Sequence, residues 1–366
     1  MNKLSNRIII CGGHHNSALV IAESLIKKGH RIYWLGHKHS MIGDKKPTAE
    51  YLEVTKKGIP FIDIKAGKFQ KKYRFFENLA RIPLGFLQSF LAVLKIKPKI
   101  IFSFGGYIAL PVTFSGFLLG IPVVTHEQTA VSGKANKLIA KIAKKIFISF
   151  EETKNSFPEK KVIFSGLPLR KEIFEGNKKI FSNSQKTIYI TGGKQGAHFI
   201  NEAVFEVLPS LLLRFNIIHQ CGSTTLFNDI EKAKEIREKH KEKGENYLVK
   251  EYFFTEEIGN VFKTADFVIS RAGAHTVYEL LALEKPAILI PIPWASNNEQ
   301  EKNAKILVEN SLGEILSQEE LKRGMLLETI ENFDKNLGNY KPKKELKLRE
   351  KDSVSIIINE IEKLLQ

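Results

Sequence analysis

The sequence predicts an α/β protein built from two doubly wound domains, each a parallel sheet with helices on both faces. Short apolar runs alternate with segments of helical periodicity, several of the runs end in paired glycines, and the pattern begins again near residue 186. Buried parallel strands are typically continuous apolar runs, and strand–helix alternation is typical of a parallel sheet. The length of 366 residues is enough for two hydrophobic cores.

The first half of the chain contains the first set of predicted elements. Its apolar runs predict strands over residues 8–11, 31–35, 100–104, 123–125 and 146–149. Helical periodicity lies between them, over residues 17–28, 74–94, 111–119 and 134–143. Because glycines follow the first strand and helical periodicity follows the glycines, we expect a tight turn from the sheet into a helix there.

The second half repeats this organisation. Strands are predicted over residues 187–191, 216–220, 247–250, 267–270 and 287–290, and a helix over 198–213. The segment 229–245 carries Lys and Glu at helical spacing and is typical of a solvated surface helix.

The polar, glycine-containing segment 166–185 is interpreted as a linker between the domains. We therefore expect an N-terminal domain over residues 1–165 and a C-terminal domain over 186–349, with a last helix, 350–366, packing back on the first domain. Ligands bind at the carboxyl ends of the strands in open α/β sheets, so we expect the ligand site in a cleft between the two domains.

The net charge of +16 indicates a polyanionic partner. Residues 56–99 hold eleven Lys or Arg against two acids. The apolar residues interleaved with them are Phe75, Phe76, Leu79, Ile82, Leu84, Phe86, Leu87, Phe90 and Leu91. This pattern fits an interfacial contact with an anionic membrane surface, and it equally fits a core helix with a solvated basic edge. No nucleic-acid-binding motif accompanies the charge, so we expect no nucleic acid partner.

The remaining bulk features favour a cytoplasmic protein. The first apolar run has only four residues before the glycines, and no window of eighteen apolar residues exists, so we expect neither a secretion signal nor a spanning helix. The two cysteines, Cys11 and Cys221, both follow apolar runs, and we expect reduced thiols at strand ends.

Three glycine-containing loops resemble sites that approach phosphate. They are Gly12-Gly13-His14, the stretch TGGKQGA with Gly193, Lys194, Gln195 and Gly196, and the stretch SRAGAHT with Gly273, Ala274, His275 and Thr276. Glycine permits close backbone approach, and unpaired amides at a helix start bind anionic oxygens. No loop completes the dinucleotide fingerprint, which disfavours a dehydrogenase.

Two further positions suit a nucleotide sugar. Glu279 lies one helical turn beyond His275, where a carboxylate can accept hydrogen bonds from a ribose diol. Gln300 and Asn303 are three residues apart and fit one helix face that could hold sugar hydroxyls. An ordinary first-turn acid and solvated polar residues are the competing interpretations. No Asp-x-Asp pair or His/Cys cluster predicts a metal, so we expect neither a catalytic metal nor a cofactor.

Taken in order, the motifs resemble those of the MurG family of N-acetylglucosaminyltransferases. The matching stretches are FGGYIALPV, GIPVVTHEQ, GGKQGA with Asn201, HQCG, ISRAGAHTVYEL and NNEQEKNA. The resemblance implies a two-domain GT-B fold and inverting, metal-independent transfer of GlcNAc from UDP-GlcNAc to lipid I, a polyprenyl-diphosphate-linked sugar, giving lipid II. It also implies a peripheral location on the cytoplasmic face of the cell membrane.

The resemblance assigns the catalytic base to His14, with His15 as the neighbouring alternative because the first loop is shorter than the family's. Imidazole suits a base that acts near neutral pH. Uracil is expected near Phe253 and Phe254. The other positions implied to bind substrate, beside those of the three loops and Glu279, Gln300 and Asn303, are Tyr107, Glu127, Gln128, Thr129, Asn136, Arg170 and Asn201.

Three positions depart from the family's pattern. Thr129 stands in place of an asparagine, Lys194 in place of a serine, and His275 in place of an apolar residue. These departures leave the nucleotide site intact and the acceptor open. The alternatives are therefore a GT-B enzyme with another lipid acceptor, and a sugar-nucleotide-binding membrane scaffold subunit without turnover of its own.

Overall fold

The protein's structure, a computed structural model, describes residues 5–39, 47–67, 75–240, 245–295, 298–342, 348 and 352–366, and for residues 75–80 it describes the backbone alone. Contacts divide the chain into two units. The first unit is Met1–Leu169 with Arg349–Gln366, and the second unit is Arg170–Leu348. Each unit contains one parallel sheet, which confirms the doubly wound class.

The sheet of the first unit has the strand order β3-β2-β1-β4-β5-β6-β7. These strands are β1 (Arg7–Cys11), β2 (Arg31–Gly36), β3 (Phe61–Asp63), β4 (Ile100–Ser103), β5 (Val123–Glu127), β6 (Lys145–Ile148) and β7 (Val162–Phe164). The order reverses between β1 and β4, which pair in register from Ile8 with Ile100 to Cys11 with Ser103. The carboxyl ends of β1 and β4 therefore form the topological switch point where doubly wound sheets bind ligands.

Helices cover the sheet of the first unit because their apolar residues recur at helical spacing. The helices are α1 (His15–Lys27), α2 (Ala49–Lys56), α3 (Phe75–Ile96), α4 (Ala109–Leu118) and α5 (Lys134–Ile142). In α1, Ala18, Ile21, Ala22 and Leu25 form one buried face. No helix in the described part of the chain is long and apolar enough to cross a membrane.

The sheet of the second unit has the order β10-β9-β8-β11-β12-β13 and reverses between β8 and β11. Its strands are β8 (Lys186–Thr191), β9 (Phe215–Gln220), β10 (Tyr247–Lys250), β11 (Phe267–Ser270), β12 (Ala287–Leu289) and β13 (Gly313–Ile315). Its helices are α6 (His198–Leu211), α7 (Asp229–Lys239), α8 (Thr255–Thr264), α9 (Ala274–Ala282), α10 (Glu299–Glu309), α11 (Gln318–Lys322) and α12 (Leu326–Lys335).

The last helix, α13 (Ser353–Leu365), packs on α1 in the first unit. Ile357, Ile358 and Ile361 are buried in the same core as the α1 face. Nε2 of His30 lies 2.9 Å from Oε1 of Glu362, which ties the end of α1 to α13. The chain thus returns to the first unit after completing the second.

The structure adds elements that the sequence patterns did not predict. Three of them, β3, β7 and β13, are three-residue strands at the edges of the two sheets, and they are too short to give a clear strand pattern in the sequence. The segment 166–185, interpreted as a linker, is partly bound to α8. The amides of Asn177 and Lys178 donate to Oδ1 of Asn260 at 2.9 and 3.0 Å.

Candidate functional site

The first glycine loop follows β1 and packs backbone to backbone against the loop after β4. Gly12 has a φ of +128°, and a Cβ atom there would lie 2.7 Å from the carbonyl oxygen of Gly105. The amide of Gly13 donates to the same carbonyl at 3.1 Å. Both the backbone angle and this contact exclude a side chain at position 12. The turn into α1 is therefore fixed by glycine.

The structure separates the two histidines that follow this loop. His14 is the N-cap residue of α1 and is exposed. His15 is the first residue of α1, and its Nε2 lies 3.4 Å from Oε2 of Glu53 on α2. His15 is thus engaged by a neighbouring helix, whereas His14 stands at the exposed edge of the loop. This arrangement agrees with the assignment of the base to His14, which stays a prediction.

Two other ring side chains near this loop are held neutral. Burial raises the pKa of Tyr107 above its ordinary value, and the carboxylate of Glu50 raises it further. Burial lowers the pKa of His126 to about 3, and the charge of His14 also lowers it. Nε2 of His126 lies 3.1 Å from the carbonyl oxygen of Gly166, so the ring donates from that nitrogen. A buried neutral His126 cannot serve as a base near neutral pH.

Glu127 organises the loop between β5 and α5. Its Oε1 accepts from the amide and the hydroxyl of Thr129 at 3.1 and 2.9 Å. Its Oε2 accepts from the amide of Gly133 and from Nδ2 of Asn136 at 2.9 and 3.0 Å. Glu127 is therefore hydrogen-bonded to Thr129 and Asn136, which were also predicted to bind substrate. These hydrogen bonds hold the loop in its conformation. Gln128 is also buried, and its Nε2 has no hydrogen-bond partner in the described residues.

The first unit also carries an exposed apolar surface on α3 and α4, here called the leucine–phenylalanine surface. Its members are between 41% and 60% exposed, and they are Leu84, Leu87, Leu91, Leu94, Phe114, Phe117 and Leu118. Lys95, Lys97 and Lys99 are exposed at the end of α3. Other members of the predicted membrane segment, Lys68, Lys71, Lys72, Arg74 and the side chains of Phe75, Phe76 and Leu79, lie outside the described residues.

In the second unit, the glycine loop after β8 packs against the backbone that follows β9. A Cβ atom on Gly196, whose φ is +88°, would lie 2.0 Å from the carbonyl oxygen of Cys221. The amide of Ser223 donates to the carbonyl of Lys194 at 3.0 Å, and Thr224 donates to that of Gln195 at 3.3 Å. The loop that contains Gly193 to Gly196 is therefore held in place by backbone contacts and backbone hydrogen bonds.

The aromatic residues near this loop differ from the expectation at one position. Phe254 is 57% exposed, but Phe253 is only 2% exposed and packs edge-on against Tyr189. Phe253 was expected beside uracil and is instead part of the core. Nζ of Lys194 lies 5.3 Å from the ring centroid of Tyr252, a cation–π contact.

Asn201 is fully buried in α6 and bonds only inward. Its Nδ2 donates to the carbonyl of Cys221 at 2.9 Å and to Oδ2 of Asp229 at 2.7 Å, and its Oδ1 lies 3.1 Å from Nε2 of His219. Asn201 therefore supports the floor of the glycine loop rather than presenting an amide at its surface.

The third loop leads into α9 and surrounds a buried carboxylate. Gly273 is the N-cap residue, and Ala274, His275 and Thr276 form the first turn. Glu279 is 6% exposed. Its Oε1 lies 3.1 Å from Nε2 of His275 and 3.7 Å from Nη2 of Arg170, and it makes no hydrogen bond within the described residues.

The charge of Glu279 follows from these neighbours. Burial by itself raises the pKa of this carboxyl, but His275 and Arg170 together lower it by more, so the pKa lies below its ordinary value. Glu279 is therefore ionised at neutral pH. An ionised carboxylate can accept hydrogen bonds from the hydroxyl groups of a ligand.

Comparisons with known proteins show which family the chain belongs to. The glycosyltransferase family 28 N-terminal domain matches residues 11–148, and the family 28 C-terminal domain matches residues 187–357. A Bacillus cereus protein named UDP-N-acetylglucosamine--N-acetylmuramyl-(pentapeptide) pyrophosphoryl-undecaprenol N-acetylglucosamine transferase 2 is 32% identical over 95% of this chain and 96% of its own length. A Lachnospira eligens protein with the same name, without the number, is 32% identical over 96% of this chain and 98% of its own length.

The chain belongs to the MurG family. A crystal structure of Acinetobacter baumannii MurG has the same fold, with a TM-score of 0.64 at 24% identity over 98% of this chain and 99% of that one. The resemblance drawn from the motifs and the GT-B class are thereby confirmed. Because both matched domains are glycosyltransferase domains, the protein is a glycosyltransferase.

In this member of the MurG family, the two amides of α10 contact the loops beside them. Oε1 of Gln300 accepts from the amide of Ile292 at 3.0 Å. Asn303 is fully buried, and its Nδ2 donates to the carbonyl of Ala272 at 3.1 Å. The interpretation of these residues as solvated surface polars is wrong for Asn303. Asn303 thus fixes the backbone just before α9, and Gln300 fixes the segment that follows β12.

Gln220, at the end of β9, is a residue that sequence reasoning missed. Its Nε2 donates to Oγ1 of Thr191 and to the carbonyl of Gly193 at 2.9 and 3.0 Å, and its Oε1 accepts from the amide of Phe253 at 3.1 Å. One buried amide thus joins the glycine loop to the segment before α8. The motif HQCG contained the residue, but no pattern in the sequence showed its partners.

We expect Gln220→Leu to lower the free energy of unfolding by about 1–3 kcal/mol, because it leaves several buried polar groups without partners. Urea unfolding measures this change. Gln195→Leu, at an exposed position on the same loop, serves as the control and should change stability little. Equal stability of the two variants would contradict the role given to Gln220.

Proposed function

We propose that the protein transfers N-acetylglucosamine from UDP-N-acetylglucosamine to lipid I, an N-acetylmuramoyl-peptide on a polyprenyl diphosphate, and so forms lipid II. The reaction is the one for which the Bacillus cereus and Lachnospira eligens relatives are named. The observation that carries the donor assignment is the buried, ionised Glu279 one turn into α9, next to amides of the helix start.

In this proposal the donor binds to the second unit. Glu279 accepts hydrogen bonds from the ribose hydroxyls, and Phe254, which is exposed, lies beside uracil. The diphosphate is received by backbone amides of the Gly193–Gly196 loop and of the start of α9, where helix dipoles favour negative charge. Gln300 and Asn303 support the loops that contact the GlcNAc hydroxyls.

The chemical step that we propose is a direct displacement. The acceptor hydroxyl attacks the anomeric carbon of GlcNAc, the bond from that carbon to the UDP oxygen breaks, and the configuration inverts. His14 takes the hydroxyl proton. Negative charge that develops on UDP is stabilised by fixed amide dipoles and by Arg170, which already lies beside Glu279.

The acceptor's lipid requires access to a membrane, and the leucine–phenylalanine surface provides the contact in this proposal. Leu84, Leu87, Leu91 and Leu94 recur at helical spacing and project from one face of α3. Exposed lysines at the end of this helix suit anionic headgroups. The protein would thus act as a peripheral enzyme on the cytoplasmic face of the cell membrane.

Glu279→Gln should weaken UDP binding by about 1–3 kcal/mol, a factor of roughly 5 to 150 in Kd, because a neutral amide replaces a charged acceptor. Isothermal titration calorimetry with UDP measures the change. Glu301→Gln, on the exposed surface of α10, is the matched control. Unchanged UDP affinity in Glu279→Gln would remove this carboxylate from the donor site.

His14→Ala should lower turnover by about two to four orders of magnitude, the usual contribution of a positioned general base, while UDP affinity changes little. His15→Ala should have a much smaller effect, because His15 is engaged by Glu53. The rate of the unaltered protein should rise with pH through an ionisation near neutrality, and His14→Ala should lose that dependence. If His15→Ala loses turnover and His14→Ala keeps it, the catalytic base is His15 and not His14.

Leu87→Ser with Leu91→Ser should reduce co-sedimentation with vesicles that contain anionic lipid, because two exposed apolar contacts are lost. Binding of the unaltered protein should also fall with added salt, which screens exposed charges beyond about 10 Å. Leu213→Ser changes an exposed leucine of the second unit and is the control. If the double variant and the control sediment alike, the leucine–phenylalanine surface is not the membrane contact.

A further inference from the structure

His275 occupies a position from which it can act on the ribose contact without touching the reacting atoms. It lies four residues before Glu279 on α9, and its Nε2 is 3.1 Å from Oε1 of that carboxylate. Both ring nitrogens of His275 are buried and make no hydrogen bond within the described residues. The contact recorded for this imidazole is therefore the close approach of Nε2 to the carboxylate of Glu279.

Arg170 also lies near the carboxylate of Glu279. Nη2 of Arg170 lies 3.7 Å from the same oxygen, and Nη1 of Arg170 donates to Oγ1 of Thr255 at 3.4 Å. The distance from Arg170 to Glu279 is the longer of these two distances. His275 is accordingly the nearer determinant of where Oε1 lies.

Burial strengthens the effect of His275 on the orientation of the Glu279 carboxylate. The side chains of His275 and Glu279 are 19% and 8% exposed, so the contact between them is less screened by water and salt than a contact on the surface. A ribose presents two neighbouring hydroxyls, and a carboxylate receives both only when its plane is fixed. Removal of the imidazole would leave Glu279 held from the side of Arg170 alone.

We propose that His275 is a positioning residue that sets the preference of the donor site for ribonucleotides over 2′-deoxyribonucleotides. The inference rests on the proposed function, in which Glu279 receives the ribose. His275 fixes the carboxylate so that it accepts from both the 2′ and the 3′ hydroxyl. Loss of His275 removes the advantage of the 2′ hydroxyl while the diphosphate contacts persist.

The test compares the Kd of UDP with that of 2′-deoxy-UDP by calorimetry, in the full-length protein and in three variants. The unaltered protein should prefer UDP by roughly 10- to 100-fold, the value of one hydrogen bond to a charged acceptor. His275→Leu should reduce this preference to a few-fold or less, mainly by weakening UDP. His275→Gln, which keeps a donor near Glu279, should retain part of it.

His240→Leu removes a half-buried histidine at the C-terminal end of α7 and is the control, with an unchanged preference expected. An unchanged preference in His275→Leu overturns the inference, and so does equal weakening of both nucleotides, which marks a merely structural role. If the unaltered protein binds both nucleotides equally well, Glu279 does not receive the ribose. If it binds neither, the proposed function fails as a whole.

Discussion

Close backbone contact between glycine loops is the constraint on which both candidate binding regions depend. In the first unit, a Cβ atom added to Gly12 would lie 2.7 Å from the carbonyl oxygen of Gly105. In the second unit, a Cβ atom added to Gly196 would lie 2.0 Å from the carbonyl oxygen of Cys221. Each contact joins the loop after the first strand of a sheet to the loop after a neighbouring strand. Only glycine allows this close approach of two backbones.

Buried polar side chains then hold these loops in shape. Glu127 receives four hydrogen bonds in the first unit, and Gln220 and Asn303 tie loops together in the second. Because each of these residues is satisfied within the chain, its contribution to binding is indirect. Glu279 is different, since its Oε1 lies near His275 and Arg170 but accepts no hydrogen bond in the described residues. The contrast separates the residues that hold the loops in shape from a carboxylate that does not.

The sequence was sufficient to predict the long buried strands, such as Ile8–Cys11 and Phe267–Ser270, because a continuous apolar run reports burial on both faces. The sequence motifs were sufficient to predict the family. Three-residue strands such as Phe61–Asp63 were missed, since their half-buried residues carry no periodic pattern. The roles of Gln220 and Asn201 could not be predicted because their partners are distant in sequence. Phe253 and Phe254 are adjacent and chemically identical, and only the fold distinguishes the buried ring from the exposed one.

The most direct test of the proposed reaction measures the release of UDP from UDP-N-acetylglucosamine in the presence of vesicles that contain an acceptor. The mass of the product is determined for each acceptor. One set of vesicles contains the polyprenyl-diphosphate-linked N-acetylmuramoyl-peptide, and the other contains diacylglycerol at the same concentration. UDP release is expected only with the diphosphate-linked acceptor, whose mass increases by one N-acetylglucosamine residue. Release of similar size with diacylglycerol, or no release with either acceptor despite UDP binding, would contradict it.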